Sequence, residues 1–226
     1  MMKQNDGSLF SVEKIDYKKV CKELYQPKTK PELVDVPPMC FLQIGGQGDP
    51  NDADGEYQRA VEILYTLSYT IKMFPKKGVL PTGYFDYVVP PLEGLWWMKN
   101  EQNFDFCKKS ELCWIAMIRQ PEFVTENLLS VAKQHVEKKK SSLNLSKAWL
   151  RNFSEGLSVQ CMHMGSFDEE SFTIDKMRKY VAANGYVFDL SMERRHHEIY
   201  LSDPRKIVEC KMKTVLRYPI NTLAVL

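Results

Sequence analysis

The chain has 226 residues, 44% of them hydrophobic and 27% charged, which is ordinary for a globular protein large enough to bury a sizeable core. Lys and Arg number 31 against 29 Asp and Glu, which gives a net charge of +2. This near balance offers no basic surface for nucleic acid, and no apolar run approaches the ~18 residues that span a bilayer. We therefore expect neither nucleic acid nor a membrane as a partner.

The cysteines and histidines show no spacing that suggests a metal or redox site. Six cysteines are scattered without a C-x-x-C pair, and the N-terminus lacks the apolar segment of a signal peptide. This pattern is typical of reduced, mostly buried thiols and predicts a cytoplasmic location. The four histidines have no ligand spacing with a cysteine or a carboxylate. Phosphate-loop and dinucleotide motifs are also absent, so we predict no metal and no cofactor.

Taken in chain order, the sequence starts with a polar segment punctuated by proline. Residues 1–32 predict an N-terminal arm, and residues 33–226 predict one domain. The predicted elements of the first half are a strand at 39–48, a helix at 49–74, extended runs at 82–99 and 111–124, and a helix at about 124–140. The helices have apolar residues at helical spacing, and the extended runs are rich in aromatic and β-branched residues.

The second half repeats this order of elements. The predicted elements are a strand at 156–167, a helix at 168–185, two extended runs (YVFDLSME and RHHEIYLSDP) and a strand at 211–220. Two strand–helix–strand–strand units, at about 39–120 and 156–220, predict an α+β fold with antiparallel sheets, helices on one side and a central ligand groove. The organisation alone fits two such units without a ligand equally well.

Several candidate ligand-binding residues are aromatic. Trp96 and Trp97 are adjacent in a predicted strand and so point to opposite faces, which means that at most one lies in the core. Tyr84, Trp114 and Met162 also lie in predicted strands. A sheet surface of this kind suits a flat, weakly polar aromatic ligand, although core packing is the simpler explanation for each residue alone.

Glu198 is the carboxylate that stands out from this pattern. In the run EIYL, Glu198 and Tyr200 share one strand face, and Ile199 and Leu201 share the other. The carboxylate is then either exposed to solvent or buried. If it is buried among aromatic side chains, its pKa should rise through desolvation, which would suit an acid or base near neutral pH.

The segments HHEIYLSDPRK and KTVLRYPI resemble the GyrI-like small-molecule-binding domain, which also occurs as the effector-binding domain of multidrug-responsive transcription regulators. The resembling segments span roughly 33–220. GYFDYVVPPLEGLWW and IRQPEFVT resemble a stand-alone bacterial branch that lacks DNA-binding helices. The resemblance implies a pseudo-twofold α+β fold with an aromatic cleft between its repeats. The glutamate of the EIYLSD strand, here Glu198, is implied to project into that cleft.

The resemblance also implies an activity. Some members of this branch are cyclopropanoid cyclopropyl hydrolases, which protect the cell by adding water to the spirocyclopropane of DNA-alkylating antibiotics, and others only bind. On this hypothesis Glu198 and a second acid act on water, while Tyr84 or a protonated carboxyl assists at the dienone oxygen. Glu170, at the opening of the second-repeat helix, is favoured as the second acid over Glu93, although a charge at a helix N-terminus would also explain it.

The remaining implied residues form a flat slot for the ligand. They are Trp96, Trp97, Trp114, Met162 and Tyr200, with Glu93 as a further ligand-binding candidate. The alternative to hydrolysis is a protein that sequesters drugs or senses an effector without turning them over. A gyrase-like protein partner is suggested only by the family name and gains nothing from the near-neutral charge, so we do not expect it.

Overall fold

The computed structural model describes residues 14–99 and 108–223. Its helices are α1 (Tyr17–Val20), α2 (Lys22–Tyr25), α3 (Glu56–Lys72), α4 (Glu126–Glu137) and α5 (Glu170–Ala183). Its strands are β1 (Glu32–Val36), β2 (Met39–Gln47), β3 (Leu92–Met98), β4 (Leu112–Arg119), β5 (Trp149–Phe153), β6 (Gly156–Met164), β7 (Tyr186–Phe188), β8 (His196–Tyr200) and β9 (Lys213–Thr222).

The strands pair in antiparallel fashion into one sheet. Its order is β1-β6-β9-β8-β3-β4-β2-β5, and β7 pairs with β9 off this path. The two halves meet where β3 pairs with β8, in a register that places Gly94 opposite Glu198. We call this pairing of β3 with β8 the seam, and it contains the strand of the candidate Glu198.

The sheet is symmetrical about this seam. β2, α3, β3 and β4 form the first strand–helix–strand–strand unit, and β6, α5, β8 and β9 form the second. The outer edge of each half is completed by the strand that precedes the other unit, because β1 pairs with β6 and β5 pairs with β2. The predicted α+β fold of two repeats is confirmed, and its halves exchange their edge strands.

The long helices cover one face of the sheet. α3 lies on β2 and β4, while α5 lies on β6 and β7, so the central strands β3 and β8 run between the two helices. The buried face of α3 includes Ala60, Ile63, Leu64 and Leu67, which recur at the spacing of an amphipathic helix. α5 buries Ile174, Met177 and Val181 in a separate, smaller core. Each half therefore has its own core on this face.

The N-terminal segment covers the opposite face. Tyr17, Leu24 and Tyr25 are buried there against Leu95 and Ile199 of the central strands. The part of the predicted arm from residue 14 onwards thus contributes side chains to a core cluster. Residues 1–13 lie outside the described residues.

Most of the predicted elements are present with shorter bounds. Residues 82–91 make turns and an isolated bridge, between Ile15 and Tyr87, rather than a strand. Pro90 and Pro91 lack the N–H that a sheet ladder requires, so the strand begins only after them. Neither β1 nor β5 was predicted. Both are five-residue edge strands in which polar and apolar residues mix, and they leave little periodic signal.

Among the helices of residues 14–99 and 108–223, none combines the length and the apolarity needed to cross a bilayer.

The five cysteines in this part of the chain are all free thiols. Burial raises the pKa of the Cys161 thiol to about 11, which fits its interpretation as a small core residue. Cys107 lies outside the described residues.

Candidate active site

Strand β8 presents two faces with different chemistry. His196, Glu198 and Tyr200 point to the helix-covered face, and His197 and Ile199 point to the opposite face. Glu198 is 7% exposed. Of the two interpretations that the sequence left open for this carboxylate, the structure shows the buried one.

Both oxygens of Glu198 accept hydrogen bonds from its own strand. The Nε2 of His196 lies 3.0 Å from Oε1, and the Tyr200 hydroxyl donates to Oε2 at 2.8 Å. His196 is itself 1% exposed, and its ring stacks on that of Tyr218 with centroids 4.4 Å apart. These contacts hold the carboxylate at a fixed place and orientation over the seam.

Glu170 opens α5 and lies against Glu198. Its side chain is buried at 1% exposure, although it occupies the first turn of a helix, where acids are usually solvated. Burial raises the pKa of Glu170 well above its ordinary value, and the charge and hydrogen bonding of Glu198 raise it further. The neutral form of Glu170 is therefore favoured, and two carboxyls in contact in this way are suited to sharing one proton.

Aromatic side chains surround this carboxyl pair. The Trp96 indole N–H donates to the Tyr200 hydroxyl at 2.9 Å. The Tyr57 ring, from the first turn of α3, lies 5.2 Å from that of Trp96. Phe167 packs edge-on against Tyr200 at 5.7 Å. Burial raises the pKa of Tyr57 and of Tyr200, so both phenols stay protonated and can donate.

Gly94 makes room for this arrangement. It pairs directly with Glu198, and a Cβ at this position would lie 2.6 Å from the Trp96 Nε1 and 3.0 Å from the Tyr200 hydroxyl. The missing side chain therefore allows Trp96 and Tyr200 to meet above the seam.

We expect Gly94→Ala to break the hydrogen bond between Trp96 and Tyr200 and to lower the free energy of unfolding by about 1–3 kcal/mol, as overpacking does. Urea unfolding measures the loss, and indole fluorescence reports the displaced Trp96. Gly45→Ala is the matched control, because its Cβ would have its nearest contact at 3.4 Å. Equal losses in the two variants would contradict the steric argument.

Three of the predicted ligand-binding residues lie on the face of Glu198. Tyr200 donates to Glu198, and Trp96 donates in turn to Tyr200. Trp114 is fully buried beneath Tyr57, with ring centroids 5.0 Å apart. Tyr84, the predicted donor, lies apart from this cluster. It precedes β3 in a connecting loop, where its ring packs on Phe123 at 5.2 Å and its pKa is raised by burial and by Asp86.

The other predicted ligand-binding residues lie on the opposite face of the sheet, because neighbours in a strand alternate. Trp97 is half-buried there under the Arg195 guanidinium, 4.6 Å from its ring. Glu93 accepts a hydrogen bond from Tyr25 at 3.2 Å. Met162 packs against the core beneath the N-terminal segment. The sheet separates all three from Glu198.

Sequence reasoning missed Tyr57, His196 and Tyr218 as members of the site. In the sequence, Tyr57 is indistinguishable from the other apolar positions of α3, and Tyr218 is one aromatic residue of a buried strand. His196 lies two residues before Glu198, so the alternation of the strand placed it on the same face and could have identified it. For Tyr57 and Tyr218 the sequence offered no such signal.

The same cluster contains the atoms best placed to meet a cation. Glu170, His196 and Glu198 each offer a ligand atom, and these atoms lie within 4.8 Å of one another. Because the His196 Nε2 is already directed at the Glu198 Oε1 at 3.0 Å, we assign a hydrogen bond rather than a shared cation to these two residues. Two open cavities, of about 410 and 270 Å³, lie elsewhere, beside Arg119 and beside Phe172.

A buried ionic cluster lies on the opposite face, directly behind Glu198. The two ring nitrogens of His197 lie 3.0 Å from Glu93 Oε2 and 3.0 Å from Glu155 Oε2. Arg217 lies 3.0 Å from the same Glu155 oxygen. The cluster joins Glu93 of the first half to three residues of the second and thereby fixes the seam.

Each charged group in this cluster stabilises the charged form of its neighbour. Burial alone would lower the pKa of His197, but the charge of Glu155, the hydrogen bond to it and the charge of Glu93 raise it to about 9. Burial would likewise raise the pKa of Glu155, but the charges of His197 and Arg217 lower it to about 2. His197 is therefore an imidazolium and Glu155 a carboxylate across the neutral range.

The geometry described so far defines a class of protein: an α+β domain of two strand–helix–strand–strand units with a polar, aromatic-lined site between its helices. The GyrI-like small-molecule-binding domain matches the chain over residues 29–219. The chain belongs to this family, and the resemblance read from the sequence is confirmed.

Three crystal structures of proteins from Listeria innocua are similar to the chain. Two are of hydrolases, at 45% and 47% identity with TM-scores of 0.84 and 0.85. The third is of an uncharacterized conserved protein, at 47% identity with a TM-score of 0.86. Each match covers 92% of this chain and 100% of the other. The comparison with curated proteins gives no match.

Proposed function

We propose that the chain binds planar, hydrophobic aromatic molecules between α3 and α5 and hydrolyses the cyclopropane ring of spirocyclopropyl dienones, the reactive group of certain DNA-alkylating antibiotics. The observation that carries this proposal is the buried pair of Glu170 and Glu198, two carboxyls that lie against each other among phenols and an indole, with the pKa of Glu170 raised by that burial. The similarity to two Listeria hydrolases supports an enzymatic role.

The reaction requires little from the protein. A water oxygen forms a bond to the cyclopropane methylene, and the bond from that methylene to the spiro carbon breaks. The electron pair of the broken bond enters the ring, which becomes an aromatic phenolate. One proton of the water goes to a base on the protein, and the phenolate takes a proton from solvent, so that one water is added overall. Strain relief and aromatisation drive the step.

Glu198 is the base in this scheme. A carboxylate has about four lone-pair positions, and the donors on β8 occupy one on each oxygen, which leaves capacity for a water. Glu170 is neutral and buried, and no described group donates to its Oε1, so this oxygen can accept the second hydrogen of the same water. The pair thus positions the water and takes up its proton.

The aromatic residues form the binding surface. Tyr57, Trp96 and Phe167 present rings around the carboxyl pair, and flat ligands stack on such rings. Tyr57 and Trp96 are nearly buried, whereas Phe167 is 37% exposed. We therefore propose that the ligand enters on the side of Phe167 and displaces it from Tyr200, which opens the space above Glu198.

The second candidate function is binding without turnover. The family to which the chain belongs is one of small-molecule binding, and a domain that encloses a reactive drug protects the cell by sequestering it. In both cases the biological role is detoxification and resistance to the antibiotic. We place the protein in the cytoplasm, where such drugs meet DNA and where free cysteines stay reduced.

One assay separates the two functions. A spirocyclopropyl dienone is incubated with a twentieth of its concentration of protein, and the dienone absorbance is followed to completion. Hydrolysis converts all of it to the phenol, while sequestration stops at one equivalent. We expect complete conversion that is unchanged by a chelator, because the chemistry uses protons alone. Depletion of a single equivalent would refute the hydrolase proposal.

A further inference from the structure

We propose that His196 is a positioning residue that keeps the negative charge of the carboxyl pair on Glu198 and its proton on Glu170. The catalytic meaning of this proposal rests on the proposed function, but the distribution of the proton is a property of the protein alone. It can therefore be tested without any substrate.

The first observation is the fixed orientation of the His196 ring. Its stack on Tyr218 is close to parallel, at 23°, and the side chain is 1% exposed. The ring plane is therefore set by packing, and the Nε2 is directed at the Glu198 Oε1 at 3.0 Å. A carboxylate oxygen is an acceptor, so this nitrogen carries the hydrogen.

The second observation is the unequal supply of donors to the two carboxyls. Glu198 accepts from His196 and from Tyr200, and the Tyr200 hydroxyl is polarised in turn by the Trp96 N–H. No donor among the described residues reaches the buried Oε1 of Glu170. When two carboxyls in contact share one proton, the carboxyl with more donors keeps the charge. The donor set thus makes Glu198 the base.

The groups that face the pair from the other elements do not reverse this preference. From α3, β8 and β9 they are the phenols Tyr57, Tyr200 and Tyr218, whose raised pKa values keep them neutral. On the turn before α5, Asp168 raises the pKa of Glu170, although its carboxylate also pairs with Lys109 at 3.0 Å. Asp168 therefore works in the same direction as His196.

Two substitutions separate the effect of the His196 hydrogen bond from the effect of its ring packing. His196→Phe keeps a flat ring on Tyr218 and removes the N–H. His196→Gln gives up the ring but retains an N–H at about the position of the imidazole Nε2. If His196 acts through its hydrogen bond, Gln should preserve the proton distribution and Phe should not. A residue that only fills space would show the reverse.

The measurement is the pH dependence of the side-chain carboxyl 13C signals in protein labelled at glutamate, assigned with Glu170→Gln and Glu198→Gln. In the unsubstituted protein, Glu170 should titrate well above the ordinary range of a carboxyl. In His196→Phe the Glu170 transition should fall by about one pH unit, a tenfold change in its proton occupancy. In His196→Gln it should stay in place.

Two results would overturn the proposal. One is a His196→Phe protein with unchanged transitions, or with the same transitions as His196→Gln. The other needs no variant of His196: if Glu198 holds the proton in the unsubstituted protein, the assignment is reversed. Failure of the dienone assay would remove the proposed hydrolase function and leave these titrations, and the inference drawn from them, untouched.

Discussion

Glu198→Gln is expected to bind the dienone and to lose about 10²- to 10⁴-fold in turnover rate, which is the usual contribution of a positioned base. The amide oxygen can still accept from His196, and the amide nitrogen can donate to the Tyr200 oxygen in place of the present bond, so residue 198 keeps both partners but cannot take a proton from water. Single-turnover rates by dienone absorbance measure the loss, and quenching of indole fluorescence measures retained binding.

The partner variant Glu170→Gln should lower turnover less, by about 10- to 10²-fold, because a neutral amide still offers an oxygen to the water. Glu169→Gln is the matched control for both variants, since it is the preceding residue in the same turn and is exposed. Its turnover should equal that of the unsubstituted protein. Full activity in Glu198→Gln would exclude Glu198 from the mechanism.

The second large effect concerns stability. Glu155→Gln should lower the free energy of unfolding by about 3–5 kcal/mol, because it leaves His197 and Arg217 charged and buried with Glu93 as the nearest remaining acid. Urea unfolding followed by circular dichroism measures this loss. Glu62→Gln is the control, since the side chains of its ion pair with Lys140 are half-exposed. That pair should contribute less than about 1 kcal/mol, and a similar loss in both variants would contradict the argument.

The same cluster predicts how stability depends on pH. The pKa of His197 is raised from 6.5 to about 9, so its stabilisation is complete below about pH 6.5 and disappears as the pH rises through 9. The pKa of Glu155 is lowered from 4.5 to about 2, so its stabilisation is complete above about pH 4.5 and disappears as the pH falls through 2. Unfolding free energy should peak between these limits and fall by about 3 kcal/mol on either side. If the unfolding free energy of Glu155→Gln changed with pH as steeply as that of the unsubstituted protein, groups outside this cluster would be responsible.

The fold could be predicted from the sequence because its main elements carry regular patterns. The helical spacing in α3 and the alternation in β8 each reflect one buried face, and a buried face is visible in a single segment. The edge strands β1 and β5 escaped detection because they pair with distant partners and bury little of their own surface. Edge pairing depends on the partner strand, which no local pattern identifies.

The site was predictable only where one segment contains its members. Glu198 and Tyr200 are neighbours on one strand face, so their proximity follows from the period of two. Glu170 was chosen on helix position and resemblance, and the structure brings it to Glu198. Three other candidates lie on the opposite face of the sheet, because each is one position along its strand from a residue on the helix-covered face. They are Trp97, Glu93 and Met162. The phase of one strand against another is set by register, which sequence patterns alone leave open.

The exchanged edge strands bear on how this protein is made. β1 pairs residue by residue with β6, as in the partnership of Leu33 with Val159, and the strand that completes the first half follows α4. The first repeat therefore leaves the ribosome before β5 can pair with β2 and before β6 can pair with β1. During that interval the nascent first half exposes an unpaired β2 edge, where a chaperone or a neighbouring chain could bind. β5 then closes the β2 edge, whereas the β3 edge stays unpaired until β8 has emerged.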